Sequence, residues 1–505
     1  MTIEQQQDTI TADFADAELP SSPVSPGLIA GETDADRTGL SGPQRRYVDE
    51  LADRLRARTD EVTRLNGHYP RRLAESRAWA NFHPALKKLL VPIVIDRAAG
   101  AQAWDKAGNG YTDYCMGFGV HFFGHNPEFV TDAVQRQLAR TYSIGNQVAQ
   151  TYELADHFCR ITGHDRVTFC CTGSESVLGA MRLARLATGR RKIAYFRKSY
   201  HGLADVVLAT EAGGRPGEAA TAGRGLSPGS VGEAIVLPYG ADSSLDYLRA
   251  QAGNIAAVLV EPVQNRNISV QPADFLHRLR QLATASGMVL IFDEMITGFR
   301  IGLRGAQGYF GVKPDLATYG KILGGGLPIG AIAGSAELVD GMDGGSWRYD
   351  DDSAPTAPTI VFGGTFQKHP LAMSAAGAVL SYLEARGEDL YTEVNGRARA
   401  AVDALAKIFE EEGLPYSVAS FGTVWRFEYH GPPDPAQPLQ FDMLYHSLVA
   451  EGIYAWKGRS FFLSTAHSDA HVEQLLAAVR RSISRLRAAG FLPSDGHHEA
   501  VEPRG

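Results

Sequence analysis

Short, continuous apolar runs separated by stretches of helical spacing dominate the middle of the chain. Arg166-Val-Thr-Phe169, Lys192-Ile-Ala-Tyr-Phe196, Ile255-Ala-Ala-Val-Leu-Val260 and Met288-Val-Leu-Ile-Phe292 read as strands buried on both faces. A helix is predicted from Thr172-Gly-Ser-Glu175 through Arg185. This alternation predicts an α/β fold with a mostly parallel sheet covered by helices. Earlier, Val48, Leu51, Leu55, Val62 and Leu65 follow helical spacing after Pro43, with Asn66-Gly67 as a stop. Pro92-Ile-Val-Ile95, Ala103-Trp-Asp105 and Tyr111-Thr-Asp-Tyr114 read as short strands around an Asn109-Gly110 turn. Near the end, Val472, Leu475, Leu476, Val479, Ile483 and Leu486 mark one face of an amphipathic helix.

Composition narrows the class. The 505 residues are 44% hydrophobic and 21% charged, as in ordinary globular proteins. No apolar run approaches the roughly 18 residues of a membrane helix. The first residues show no basic region leading into an apolar stretch, and the four cysteines are too few to staple the chain. Reduced thiols and a cytoplasmic location are the expectation. The net charge of -8 is concentrated: residues 1–40 hold eight acids against Arg37, a net -7, leaving about -1 elsewhere. That stretch is expected to be a disordered acidic tail, and residues 491–505 a loose one. A nearly neutral body without a basic stripe argues against nucleic acid as a partner.

Four central features carry chemistry. Thr172-Gly173-Ser174-Glu175, between a strand and a helix, suits an anion such as phosphate, and equally suits a capped helix start. Asp293 follows the apolar run that ends at Phe292, at the strand end where α/β folds bind ligands. Lys321 lies in Tyr319-Gly-Lys-Ile-Leu-Gly-Gly-Gly326. A P-loop fails there, because Asp315 and Ile322 occupy positions that need glycine and a hydroxyl residue. What remains is a lysine on a tight turn, suited to Schiff-base chemistry. Tyr200-His201-Gly202 offers an aromatic ring that could stack on a flat cofactor. Together these are the parts that a pyridoxal phosphate site requires. His121, His125 and His201 show no ligand spacing, so no metal is expected.

Phe292-Asp-Glu-Met-Ile-Thr-Gly-Phe-Arg300 and Pro314-Asp-Leu-Ala-Thr-Tyr-Gly-Lys-Ile-Leu-Gly-Gly-Gly326 closely resemble class III pyridoxal-phosphate aminotransferases, their glutamate-1-semialdehyde aminomutase-like branch nearest. The similarity spans about residues 45–490. Met116–Val120, Phe123–Pro127, Gly364–Pro370 and Trp456–His467 also resemble aminotransferase domains of polyketide–nonribosomal peptide synthases. They are similar, too, to stand-alone relatives such as the caerulomycin aminotransferase. No carrier or synthase segment flanks the chain, so the stand-alone type is expected.

The resemblance implies a fold-type I enzyme with a large domain over 116–385 and a smaller α+β domain from 45–115 and 386–490. Lys321 would hold pyridoxal 5'-phosphate, with pyridoxamine 5'-phosphate as the half-reaction form, and would shuttle a proton. Asp293 would pair with the pyridine nitrogen, Tyr200 stack on one ring face and Met295 close the other. Gly173 and Ser174 would bind the phosphate, with Thr365 reaching it from the neighbouring subunit of a homodimer, and Gln264 would lie near the phenolic oxygen. Arg459 and Phe118 are the substrate-binding candidates, and Arg300 is expected to be structural, paired with Glu294. Cys171 and Ser176 depart from common family residues without removing a required group.

The implied reaction is ping-pong transfer from an amino-acid donor, L-glutamate or L-glutamine, to a carbonyl, expected to be an aldehyde of a natural-product intermediate. Rival expectations are an aminomutase, an aminotransferase acting on a carrier-bound β-ketoacyl thioester, and a non-catalytic binding protein on the same fold.

Overall fold

The computed structural model describes residues 39–68, 72–74, 82–91, 93–213, 217–431 and 437–493. The expectations for most of the 1–40 tail, for nearly all of the 491–505 tail and for Pro92 fall outside these residues.

Seven strands form the central sheet: β1 (Arg166–Cys170), β2 (Lys192–Phe196), β3 (Ala234–Leu237), β4 (Ile255–Val260), β5 (Val289–Asp293), β6 (Leu316–Tyr319) and β7 (Gly330–Gly334). Their spatial order is β1-β7-β6-β5-β4-β2-β3. The pairs β6–β5, β5–β4, β4–β2 and β2–β3 are parallel, and β7 runs antiparallel between β6 and β1. Every residue of β4 and β5 is buried, the physical cause of their unbroken apolar sequences. The apolar run placed at 288–292 enters the ladder one residue later, which brings Asp293 into register with Thr318.

Three sheet strands escape a pattern reading. β3 and β6 have only four residues each, and β7 is Gly-Ala-Ile-Ala-Gly, poor in intrinsic strand preference. Its glycines answer to the neighbours instead. A Cβ on Gly330 would lie 2.2 Å from the Thr172 carbonyl oxygen, and one on Gly334 2.3 Å from that of Asp315.

The two ends of the chain meet beside this sheet. Strands Ile95–Ala99, Gln102–Asp105 and Gly110–Asp113 are joined by Ile453–Tyr454, and Tyr416–Phe421, Val424–Tyr429 and Phe461–Phe462 form a separate antiparallel sheet. The first of these strands begins at Ile95, later than the apolar run from 92 suggests. Helix Pro370–Glu411 runs from one region to the other and is interrupted at Gly387, where φ is +55°. The expected domain boundary at 385/386 lies two residues before that break. Helix Asp469–Ala488 buries Val472, Leu475, Val479, Ile483 and Leu486, the face its spacing marks.

Candidate active site

Five strands that run in one direction carry groups of the site at or just beyond their carboxyl ends. Gly173 and Ser174 follow β1, Tyr200 and His201 follow β2, Glu261 and Gln264 follow β4, Asp293 ends β5, and Lys321 follows β6. This is the carboxyl-end crevice of an open α/β sheet.

The turn after β1 serves two purposes. Thr172 caps helix Gly173–Thr188: the Glu175 N–H donates to Thr172 Oγ1 at 3.2 Å, and the Glu175 carboxylate accepts from the Cys171 and Thr172 N–H groups. The cap satisfies the third N–H of the helix, while the first two, on Gly173 and Ser174, have no intrahelical acceptor and face the anion-favouring end of the dipole. Gly202, at φ +91°, packs so closely that a Cβ there would lie 2.6 Å from Ser174 Oγ. Ser176 is buried and turns its hydroxyl back to the Gly173 carbonyl. Burial, then Glu175, raises the pKa of the Cys171 thiol, which keeps it protonated.

Asp293 is the most heavily bonded group of the site. Its Oδ2 accepts from His201 Nδ1 at 2.7 Å, and its Oδ1 from the Met295 N–H at 3.1 Å and the Thr318 hydroxyl at 3.4 Å. Because a carboxylate only accepts, the proton on this side of the imidazole belongs on Nδ1. Glu261 accepts from the Tyr200 N–H at 2.9 Å, and burial pushes its pKa up to about 7. Gln264 donates to the Arg197 carbonyl at 2.9 Å, and its amide oxygen is buried without a partner.

Lys321 has φ +42°, an uncommon conformation for a side-chain-bearing residue and the kind of backbone strain found at functional sites. Its ammonium pKa is lowered chiefly by burial and further by Arg300, while Asp293 and Glu261 oppose the shift. A larger neutral-amine fraction is what a nucleophile and a base need. Met295 lies between the two glycine turns: a Cβ on Gly173 or on Gly320 would stand 2.6 Å from its sulfur. Tyr200 is 49% exposed, and the Arg266 guanidinium stands over its ring at 5.5 Å.

The remaining candidates stand on other segments. Phe118 sits in a turn whose residues Met116, Gly117, Phe118 and Gly119 all have positive φ, and its ring meets Trp456 edge-on at 5.4 Å. Arg459 is half-buried, and Thr365 is exposed on the loop before helix Pro370–Glu411, with no hydrogen bond to Lys321, Asp293 or Gly173 within the described residues. The expected Arg300–Glu294 pair does not form. Fully buried Arg300 donates to the carbonyls of Ile296 and Gly119 and to the Thr423 hydroxyl. Glu294 accepts from Thr297, Ala306 and Gln307 instead. Sequence reading missed His201 and Glu261 as parts of the site. Their adjacency to Tyr200 and Gln264 was the available signal. Among the described residues no group of three or more His, Cys, Asp or Glu is placed to hold a metal ion.

The residues fit a phosphorylated pyridine ring. Open N–H groups await an anion, an anchored carboxylate suits a pyridinium, the orphaned Gln264 oxygen awaits a donor, and a lysine of lowered pKa faces them.

Comparison with known proteins agrees. The family model described as aminotransferase class-III matches residues 85–478. The glutamate-1-semialdehyde 2,1-aminomutase of Deinococcus radiodurans is 35% identical over 422 residues, covering 79% of this chain and 91% of that protein. An omega-transaminase from Sphaerobacter thermophilus superposes with a TM-score of 0.75 at 26% identity, over 85% of this chain and 98% of the other. A glutamate-1-semialdehyde aminomutase from Pseudomonas aeruginosa, solved with PMP, shares the fold at a TM-score of 0.75 and 22% identity, covering 89% of this chain and all of that one (100%). The chain belongs to the class III aminotransferases, on their glutamate-1-semialdehyde aminomutase-like branch, and is a fold-type I enzyme dependent on pyridoxal 5'-phosphate.

Proposed function

We propose that the enzyme is a ping-pong aminotransferase that takes the amino group of an amino-acid donor, glutamate or glutamine, and delivers it to an aldehyde of a natural-product intermediate. The observation that carries this reading is a pair of neighbouring features of different character, joined where the Arg459 N–H donates to the Trp456 carbonyl at 3.0 Å. The Phe118–Trp456 pair offers an aromatic surface, and Arg459, electrostatically coupled to Tyr200, offers a cation. One suits an apolar carbonyl acceptor, the other a donor carboxylate. A mutase acting within one small polar molecule has little use for the aromatic surface.

Bound in the crevice, the cofactor supplies an electron sink and stores the amino group between half-reactions. Asp293, held by three donors, would face the pyridine nitrogen. Gly173 and Ser174 would hold the phosphate through their N–H groups, Tyr200 and Met295 would flank the ring, and Gln264 would lie beside the phenolic oxygen with its amide oxygen free to accept. Lys321 Nζ would take the proton from the donor α-carbon. Thr365, exposed in the single chain, would complete the phosphate site of a second copy, making the enzyme a homodimer. The domain limits expected above and a cytoplasmic location belong to the same reading, and no described helix is long and apolar enough to cross a membrane.

An aminomutase is the second reading, favoured by the 35% identity to a protein of that name. The deciding experiment incubates holoenzyme with single amino acids and no acceptor, following the visible spectrum and keto acid release. Stoichiometric 2-oxoglutarate from glutamate supports transamination. A spectrum that no amino acid alters would move the assignment to the mutase.

A further inference from the structure

Two neighbouring parallel strands beside the main sheet, Gly110–Asp113 and Ile453–Tyr454, end level with each other, with Asp113 and Tyr454 in register. Each runs on into a tight turn. The two turns bring the half-buried rings of Phe118 and Trp456 to their edge-on contact at 5.4 Å. An aspartate anchors each turn, and neither aspartate hydrogen-bonds to Lys321 or Asp293 within the described residues.

In the first turn Met116, Gly117, Phe118 and Gly119 have φ of +45°, +60°, +59° and +88°. That conformation is unfavourable for Met116 and Phe118, which carry side chains, and it persists only where the surroundings impose it. Buried Asp113 does so from the strand end. Its Oδ1 accepts from the N–H groups of Cys115 at 2.7 Å and Met116 at 2.9 Å, and its Oδ2 accepts from His125 Nε2 at 2.8 Å. The second turn closes where the Arg459 N–H donates to the Trp456 carbonyl at 3.0 Å, around Gly458 at φ +66°. Helix Gln437–Ala450 grips this turn with two residues three apart on one face. Asp442 pairs with Lys457 Nζ at 2.7 Å, and the Tyr445 hydroxyl donates to the Arg459 carbonyl at 3.1 Å. The ion pair is mostly withdrawn from solvent, its side chains 13% and 18% exposed, so salt screens it less than a surface pair.

We propose that Asp113 and Asp442 are positioning residues that fix the Phe118–Trp456 pair, and through it set the affinity of the enzyme for apolar acceptors while leaving the donor half-reaction alone. This rests on the transaminase reading above and deepens it. Rings already held in their bound geometry lose no ordering entropy when an apolar body docks on them. Loosening either turn parts the pair, whereas Lys321 and Asp293 stay where the main sheet holds them.

The test mixes enzyme loaded with pyridoxamine phosphate with benzaldehyde, acetaldehyde or 2-oxoglutarate and follows the return of the visible cofactor band against carbonyl concentration. Wild-type half-saturation should come at roughly tenfold lower benzaldehyde than acetaldehyde, a modest share of what burying a ring provides. Asp113→Ala and Lys457→Met should each raise the benzaldehyde value by about tenfold at little-changed limiting rate, with the other two carbonyls moving less than about threefold. Lys457→Arg, which keeps the ion pair, should recover most of the loss. Asp113→Asn, which keeps an oxygen for the turn, should lose less than Asp113→Ala. If an Ala or Met variant fails to fold, Asp113→Asn and Asp442→Asn carry the same prediction at reduced size. Acrylamide quenching of Trp456 emission, taken in each background as the difference from its Trp456→Phe counterpart, should rise in the anchor variants and needs no turnover. Equal wild-type values for benzaldehyde and acetaldehyde, an unchanged benzaldehyde value in the variants, an equal rise for all three carbonyls, or unchanged quenching would each overturn the proposal. A band that returns with none of the carbonyls sinks the transaminase reading itself. A band that returns without those differences sinks only the present one.

Discussion

His201 donates its Nδ1–H to Asp293 Oδ2 at 2.7 Å, and both side chains are cut off from solvent. The pair joins the turn after β2 to the end of β5, residues 92 apart in sequence. A buried hydrogen bond to a carboxylate is worth roughly 1.5–3 kcal/mol, and leaving one partner unsatisfied costs more. The imidazole therefore fixes the orientation of the group expected to face the pyridine nitrogen.

His201→Phe should lower kcat by about tenfold or more while KM for the donor changes little, because the donor does not touch this pair. His201→Asn, which keeps a donor near the carboxylate, should recover part of the loss. A matched fall in kcat and rise in KM, with no difference between the two variants, would reduce His201 to a packing residue. Steady-state kinetics beside a melting curve makes the distinction.

Met295 fills the space that side chains on Gly173 or Gly320 would need. Gly173→Ala should weaken cofactor binding by about tenfold, since forcing the thioether aside costs on the order of 1–3 kcal/mol. Met295→Val, smaller at the contact, should restore much of it in the double variant. A fluorescence titration with pyridoxal phosphate on all four proteins gives the coupling, and strict additivity would mean the two residues do not meet.

Arg300 is buried without a carboxylate and bridges Ile296, Gly119 and Thr423. It fastens the segment after Asp293 to the left-handed turn that carries Phe118. Arg300→Met should destabilise the protein by about 3 kcal/mol in urea unfolding, through the acceptors left unpaired. Its positive charge also lowers the Lys321 pKa. Removing that charge raises the pKa of the free Lys321 amine, so the pH limb in the rate at which apoenzyme captures pyridoxal phosphate should move to higher pH. In Arg300→Lys the charge remains, and the limb should stay near its wild-type place. Identical pH profiles for Met and Lys variants would contradict the electrostatic role.

Thr365 stands exposed on its own chain. If it completes the site of a second copy, Lys321→Ala and Thr365→Val should each be severely impaired alone. Unfolded together and refolded, they should recover up to about a quarter of wild-type activity, because half the dimers are mixed and each mixed dimer has one intact site. No recovery in a sample shown to contain mixed dimers would remove Thr365 from the shared site.

Legibility differed sharply between parts of the molecule. β2 and β4 stand where the apolar runs place them, because strands buried on both faces announce themselves in sequence. β7 did not, since its glycines respond to carbonyls of Thr172 and Asp315 that only the assembled sheet brings near. Thr172-Gly-Ser-Glu175 carries two readings: the capping box forms, and by leaving the Gly173 and Ser174 N–H groups open it is compatible with the anion reading too.

Sequence alone determined the fold class, the cofactor and its candidate residues, because short motifs at strand ends carry those constraints locally. Tertiary structure decided which groups touch. It paired Asp293 with His201 and denied Arg300 its expected carboxylate. The physical reason is range: apolar periodicity and turn chemistry act over a few residues, whereas hydrogen bonds, burial and charge act between whatever segments the sheet order makes neighbours.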